Sequence, residues 1–312
     1  MLSLAGKIRP YLCLMLSRLA ALFLIVTLTF FLMKALPGDP FNQEQALPDQ
    51  IHKILRHHYG LDDPWHQQYA RYLKSVFSWN LGPSFRFQDR TVNQIIREGF
   101  PVSALLGIEA LLIAVSLGIF LGTLGALRKG SWTDSLILIF ASLSISFPSF
   151  LLGSFLQYFF GLKWGLFPIA RWGTLMQSIL PAFSLAALPC AFITRLMRTS
   201  LIEVLQQDYM RTARAKGLSE INVVWFHGMR NALLPLVSYL GPLSANILVG
   251  SFVIEKIYAI PGLGQWFVNS VLNRDYTVLM GLTVFYGLIL LFIVLCMDLL
   301  YCWIDPRIGR AT

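Results

Sequence analysis

The sequence predicts an all-α polytopic membrane protein with about six transmembrane helices. Composition, the length of the apolar runs and the scarcity of charge inside them all point there. Of 312 residues, 56% are hydrophobic and only 13% are charged, with a mean hydropathy of +0.62. Water-soluble domains carry about 25% charged residues, and a chain of this length cannot bury so much apolar surface in water. Crossing a hydrocarbon core takes roughly 20 apolar residues in a helix, and several runs here are that long.

The runs place the spans in order. The first is Leu16 to Leu36, with Arg18 and Lys34 near its ends, where long cationic side chains snorkel to the headgroups. The second is Val102 to Leu127, with one acid, Glu109. The third, Ser135 to Leu162, has no charge, and the others are Ser178 to Thr194, Leu233 to Ile254 and Leu279 to Ile304. Three regions follow: 1–36 with the first span, 37–101 as a helical insertion between spans, and 102–312 as a five-helix core with a long connection at 195–235. The apolar start reads as a span rather than a cleaved signal, since no small-x-small cleavage site precedes Pro37.

Lysine and arginine in short loops set the orientation. Lys7, Arg9 and Arg18 sit at the N-terminus, Arg128 and Lys129 in the second connection, and Arg307 and Arg310 in the tail. The fourth connection adds Arg195, Arg198, Arg211, Arg214, Lys216 and Arg230. The other side has Lys163, Arg171, Lys256 and Arg274, and the long loop from Gly38 to Pro101 translocates regardless of its charge. Both termini are expected on the cytoplasmic side. The net charge of +9 follows from these loops and their attraction to anionic membrane lipid. No basic patch interleaves with exposed aromatics, so no nucleic-acid partner is expected.

The insertion reads as folded. Pro48-Asp49 starts a helix with Ile51, Ile54, Leu55 and His58 on one face, ended by Gly60. Asp63 caps a second helix with Pro64 at its first position and an apolar stripe of Tyr69, Tyr72, Leu73, Val76 and Phe77. Thr91 caps a third, carrying Val92, Ile95 and Ile96 and ending near Gly99. His52, His57, His58 and His66 lie here too, but His57 and His58 point about 100° apart on a helix, and they are read as solvated polar faces rather than a metal site. Cys13, Cys190, Cys296 and Cys302 lie in or beside apolar segments and read as small buried hydrophobes.

The fourth connection has a helix, break, helix pattern. Leu201 to Lys216 is free of proline and glycine and ends in cations that suit a helix C-terminus. Gly217 is then the left-handed terminator, and Ser219 caps a second helix that stops at Leu234-Pro235. Ala213 and Gly217 lie four apart and leave one face nearly bare for a partner backbone. On composition alone, this connection reads first as a basic interfacial helix hugging the inner leaflet.

The stretch Asp208-Tyr209-Met210-Arg211-Thr212-Ala213-Arg214-Ala215-Lys216-Gly217-Leu218-Ser219 resembles the cytoplasmic loop motif of binding-protein-dependent ABC importer permeases, in their dipeptide/oligopeptide/nickel branch. Other blocks resemble the same branch in the expected order from about residue 18 to the end. They are Leu36 to Pro40, Tyr59 to Pro64, Leu81 to Phe85, Asn231 to Pro235, Ile260 to Gly264, Arg274 to Tyr276 and Asp305 to Ile308. Where the general motif has Glu-Ala-Ala, this chain has Arg211, Thr212 and Ala213, which fits the peptide branch rather than sugar importers.

The resemblance implies a type I importer permease, an inner-membrane subunit for di- or oligopeptides, nickel or another small solute of the branch. It implies a second homologous permease, two cytoplasmic ATPase subunits and an external solute-binding protein, either periplasmic or a lipoprotein. The loop docks on the ATPase, and Arg211, Ala213, Arg214, Ala215, Gly217 and Leu218 are the residues assigned to that contact. No stretch reads as a Walker A loop, so the chain is expected to bind no cofactor and to leave ATP-Mg to its partners. Ser146, Asn246 and Ser251 are polar groups within spans that either line the solute path or bond neighbouring helices. An ion-coupled secondary transporter is the rival class; it would need midplane carboxylates, for which only Glu109 and Asp298 are available.

Overall fold

The structure is a computed structural model and describes residues 2–35, 53–54, 56–57, 59–87, 89–248 and 251–304, with side chains between 15 and 297. Among the described residues every regular element is a helix, and the β contact is an isolated antiparallel bridge of Pro83 with Thr91. In order the elements are α1 (Leu2–Ala35), α2 (Trp65–Phe77), α3 (Val92–Leu127), α4 (Trp132–Ser146) and α5 (Ser149–Leu156), the last extended by a π-helical stretch, Gln157–Lys163. Then come α6 (Leu175–Leu205), α7 (Asp208–Ala215) and α8 (Glu220–Asn222), which runs through π-helical Val223–Gly228 into α9 (Met229–Ala232). The rest are α10 (Leu234–Leu248), α11 (Phe252–Ile257), α12 (Leu263–Leu272) and α13 (Tyr276–Ile304).

Five helical segments are long and apolar enough to cross a membrane: Met15–Ala35, Val92–Leu127, Leu175–Leu205, Leu234–Ile257 and Tyr276–Met297. Helices α4 and α5 pass the same test only as a pair, bent by 104°, which makes them one broken span or a re-entrant loop. The third apolar run, Ser135 to Leu162, was read as one span, and Pro148, one of four prolines able to kink a span, breaks it. Steric conflict with a following proline pushes a residue out of the helical region. Phe147 is accordingly extended (φ −89°, ψ 121°), and the Pro148 carbonyl restarts the helix by accepting from Leu151 and Leu152 N–H. Pro181 and Pro189 in α6 and Pro242 in α10 sit inside continuous helices.

The second span also departs from expectation. Thr91 caps it as predicted: Gln94 N–H donates to its Oγ1, while Thr91 N–H donates to Gln94 Oε1. The helix then continues through Gly99 and Pro101 instead of stopping. Gly99 serves packing there, since a Cβ would lie 2.9 Å from Leu263 Cδ2. Farther back, α2 begins at Trp65 with Pro64 as the flanking residue, and the Asp63 carboxylate pairs with Arg71 instead of capping. The helix expected to open at Pro48-Asp49 falls largely outside the described residues.

The chain forms two compact units. One contains Met1–Pro101 with Gly262–Phe292. Its core gathers Leu81, Val92, Ile95, Leu263, Val278 and Leu282. The apolar stripe of α2 lies on α1: Tyr72 stacks on Phe30 with centroids 5.7 Å apart, and the Tyr69 and Thr27 hydroxyls are 2.7 Å apart.

The second unit contains Val102–Pro261 with Ile293–Ala311. On α3, Ala110, Ala114, Gly118, Gly122 and Ala126 recur every fourth residue and are all buried. Residues at that spacing share one helix face, and small ones let membrane helices approach closely. The partner is α6: a Cβ on Gly122 would lie 2.7 Å from both Met197 Cβ and the Thr194 carbonyl. Across the bend, Tyr258 is 1% exposed and donates its hydroxyl to the Gly153 carbonyl at 2.9 Å, with Ser184 Oγ 3.2 Å away.

Candidate functional site: the loop at 206–233

The connection that carries the recognised motif begins by turning. A single helix from Leu201 to Lys216 was expected, but α6 runs on to Leu205 and Gln207 is extended (ψ 150°) before α7 starts. No glycine or proline marks this turn. Burial explains it: folding α7 back places Met210 (0% exposed) and Ala213 (5%) against Val223, Val204 and Leu205. Leu201 and Met197 on α6 join Val224, Met229 and Ala232 in an adjoining core. The loop is thus a small folded body continuous with the end of α6.

Its internal bonds fix the presentation of α7. Asn231 Nδ2 donates to the Tyr209 hydroxyl at 2.7 Å, tying together two of the blocks that carried the resemblance. Arg214 Nε donates to Glu220 Oε1 at 2.8 Å. Gly217 terminates α7 in the left-handed region (φ 80°), as expected. Ser219 Oγ accepts from Asn222 N–H and caps α8, also as expected.

The six residues assigned to docking therefore divide. Arg211, Arg214, Ala215, Gly217 and Leu218 are exposed, and a Cβ on Gly217 would meet nothing within 4 Å. Ala213 faces inward against Val223, so the bare face read from its spacing to Gly217 is not what α7 presents. The Arg211 side chain is 75% exposed and lies 3.6 Å from Asp208. Beside α7 the face changes character: Ile221, Trp225 and Phe226 are exposed. An apolar groove of about 400 Å³ runs between α3 and α8, lined by Phe120, Leu124, Leu127, Ile221 and Trp225.

The polar groups considered for a solute path are scattered. Ser146 is exposed and bonds back to the Ser142 carbonyl at 2.9 Å. Asn246 is exposed on α10, and Ser251 precedes α11. Glu109 is half-buried, and the side chain of Asp298 lies outside those described.

Two buried charged groups escaped the sequence reading. Glu255 is fully buried and accepts from Ser103 Oγ at 2.7 Å. Asp134, 3% exposed, is held by Arg198, whose Nε and Nη2 reach its two oxygens at 2.6 and 2.7 Å. Arg198 had been counted as a loop cation; it lies inside α6 with its side chain 19% exposed. An acid at the start of an apolar run was the available signal for Asp134.

Two family models match this chain, one after the other. Residues 114–310 match the family model for the binding-protein-dependent transport system inner membrane component, and residues 8–106 match that of its N-terminal region. The chain belongs to this family. It is therefore a membrane-embedded component of a binding-protein-dependent transport system. It is 47% identical to the dipeptide transport system permease protein DppB of Bacillus subtilis, over 93% of this chain and 94% of that one. It is 41% identical to the oligopeptide transport system permease protein OppB of Haemophilus influenzae, over 94% and 97%. Among solved structures, an inward-facing MetNI methionine ABC transporter chain matches with a TM-score of 0.55 at 17% identity, covering 68% of this chain and 97% of that one. That likeness concerns the fold alone, one of long apolar helices with no strand among the described residues.

Proposed function

We propose that this chain is the translocating subunit of an ATP-driven importer of di- and oligopeptides. The observation that carries the reading is the 47% identity to a dipeptide permease, sustained over 93% of the chain. In this reading the chain pairs with a second, homologous permease. Solute arrives from an external binding protein, and two cytoplasmic ATPase subunits supply all the ATP chemistry.

Both termini and the loop at 206–233 then lie in the cytoplasm, and residues 37–101 lie outside. Exposed Arg211, Ala215, Gly217 and Leu218 form the contact with an ATPase, with Arg214 braced by Glu220 at its edge. A guanidinium such as Arg211 suits a carboxylate on the partner. Ser146, Asn246 and Ser251 supply a sparse polar lining to the path, leaving solute selection to the binding protein.

The test is purification of the tagged chain with its neighbouring gene products in mild detergent, followed by an ATPase assay with binding protein and dipeptide. A second permease and ATPase subunits should be recovered, with hydrolysis stimulated by the loaded binding protein. A lone chain or homodimer without ATPase under several detergents would overturn the reading.

A further inference from the structure

We propose that Asp134 and Arg198 form the joint through which movement of the loop at 206–233 reaches the broken span, making both positioning residues for transport. This rests on reading that loop as the ATPase contact.

The geometry begins on α6. Its last turns are gripped on two sides. On one, Met197 and Leu201 are fully buried in the core shared with Val224, Met229 and Ala232, so this end of α6 moves with the loop. On the other, Arg198 reaches the first turn of α4 and clasps both carboxylate oxygens of Asp134 at 2.6 and 2.7 Å. A two-bond fork to a carboxylate fixes orientation as well as distance.

The carboxylate itself is held. Gly130, in a left-handed turn (φ 78°), donates its N–H to Asp134 Oδ2 at 2.9 Å. Gly125 leaves room for the pair, since a Cβ there would lie 3.3 Å from Asp134 Oδ1. Farther along α4, Arg195 Nη2 donates to Ser142 Oγ at 2.6 Å.

Beyond the joint the two helices stay packed, with Ile137 and Ala141 of α4 buried, and the contact turns apolar. An apolar cleft of about 270 Å³ opens there, with Ile137, Ala141 and Ser144 of α4 facing Ala187, Cys190 and Ala191 of α6. The broken span is tied down again past its bend, where the Tyr258 hydroxyl meets the Gly153 carbonyl. So α4 is a rod with a polar clasp near the loop, a bend at Phe147-Pro148 and, between them, an apolar face tied to α6 by the Arg195–Ser142 bond. Apolar surfaces slide over one another with little directional preference, whereas a desolvated fork transmits both displacement and rotation.

The test uses the whole transporter, with its ATPases and binding protein, in proteoliposomes. Three quantities are read: ATPase recovered with the chain, hydrolysis stimulated by loaded binding protein, and labelled dipeptide imported per ATP consumed. Asp134→Asn keeps the shape and removes the charge. It should retain ATPase capture and hydrolysis within about two-fold while dipeptide imported per ATP falls at least ten-fold, with partial recovery in Asp134→Glu. An unchanged ratio of import to hydrolysis, whatever happens to either rate, would make the pair a static fastening and overturn the proposal. If Asp134→Asn does not accumulate as folded protein, Arg198→Lys, which keeps the charge and loses the fork, must show the same fall in ratio. Failure of the unmutated chain to capture any ATPase would instead sink the docking reading, and this proposal with it.

Discussion

The buried carboxylate of Asp275 accepts a hydrogen bond from the Ser84 hydroxyl, joining residues 191 positions apart in the chain. The same carboxylate takes the N–H groups of Phe85 and Val278, each at 3.2 Å. It thus closes the segment before α3 onto the first turn of α13, where a negative charge also suits the helix dipole. Asp275→Ala would remove the acceptor of three hydrogen bonds in a site that is 1% exposed. Each unsatisfied buried group costs about 1–3 kcal/mol. The variant should melt well below the parent in detergent and become cleavable by protease near residues 84–90. Ser84→Ala also removes the acceptor of the Arg86 and Phe87 N–H groups, but it leaves the Phe85 and Val278 bonds to Asp275 in place and should shift melting less.

The small-residue face of α3 gives a second prediction. Gly122→Ala drives a methyl group against the α6 backbone at the Thr194 carbonyl and against Met197 Cβ, and neither yields as a flexible side-chain end would. Overpacking of this kind costs about 1–3 kcal/mol. Gly287→Ala is the control, because its methyl would lie 3.5 Å from Ile25 Cδ1, an ordinary contact. Thermal melting should fall in the first variant and hold in the second.

Tyr258→Phe should loosen the α5 segment without unfolding the chain. The variant loses the bond to Gly153 and the contact with Ser184 but keeps the ring in its apolar pocket. A loss of about 1 kcal/mol is expected for a neutral hydrogen bond, or roughly 2–4 °C in melting for a domain of 150–250 residues. Faster amide exchange confined to residues 149–163 would locate the effect.

At Gly217 the loop itself can be tested. A side chain there has open space but must adopt φ 80°. The left-handed region costs most residues roughly 1–2 kcal/mol and is least unfavourable for asparagine. Gly217→Asn should therefore retain ATPase capture, while Gly217→Val should lose most of it. Equal capture by the two would mean that backbone conformation at this point does not govern docking.

Much of this architecture is legible in the sequence because it is local. The apolar runs find the spans, Thr91 and Ser219 stand immediately before their helices and accept from the N–H three residues on, and Gly217 marks a left-handed turn by having no Cβ. What escapes is decided by distant partners. Pro148 breaks a helix where Pro181, Pro189 and Pro242 do not, so proline alone does not determine the outcome. The turn at Gln206-Gln207 has no breaker residue and is set by burial of Met210. Ala213 was read from its size as a partner contact, yet small residues serve internal packing equally well. Arg198 looked like one more cation in a basic connection, and only its proximity to Asp134 reveals a buried pair.

The central claim is that this chain moves peptides with energy supplied by partner ATPases. Labelled dipeptide uptake into proteoliposomes carrying the full complex tests it most directly, with ATP enclosed, binding protein outside and ion gradients collapsed. Uptake that needs enclosed ATP and loaded binding protein, and survives the collapse, is the result expected. Uptake that persists without ATP and follows an imposed proton or sodium gradient would contradict it.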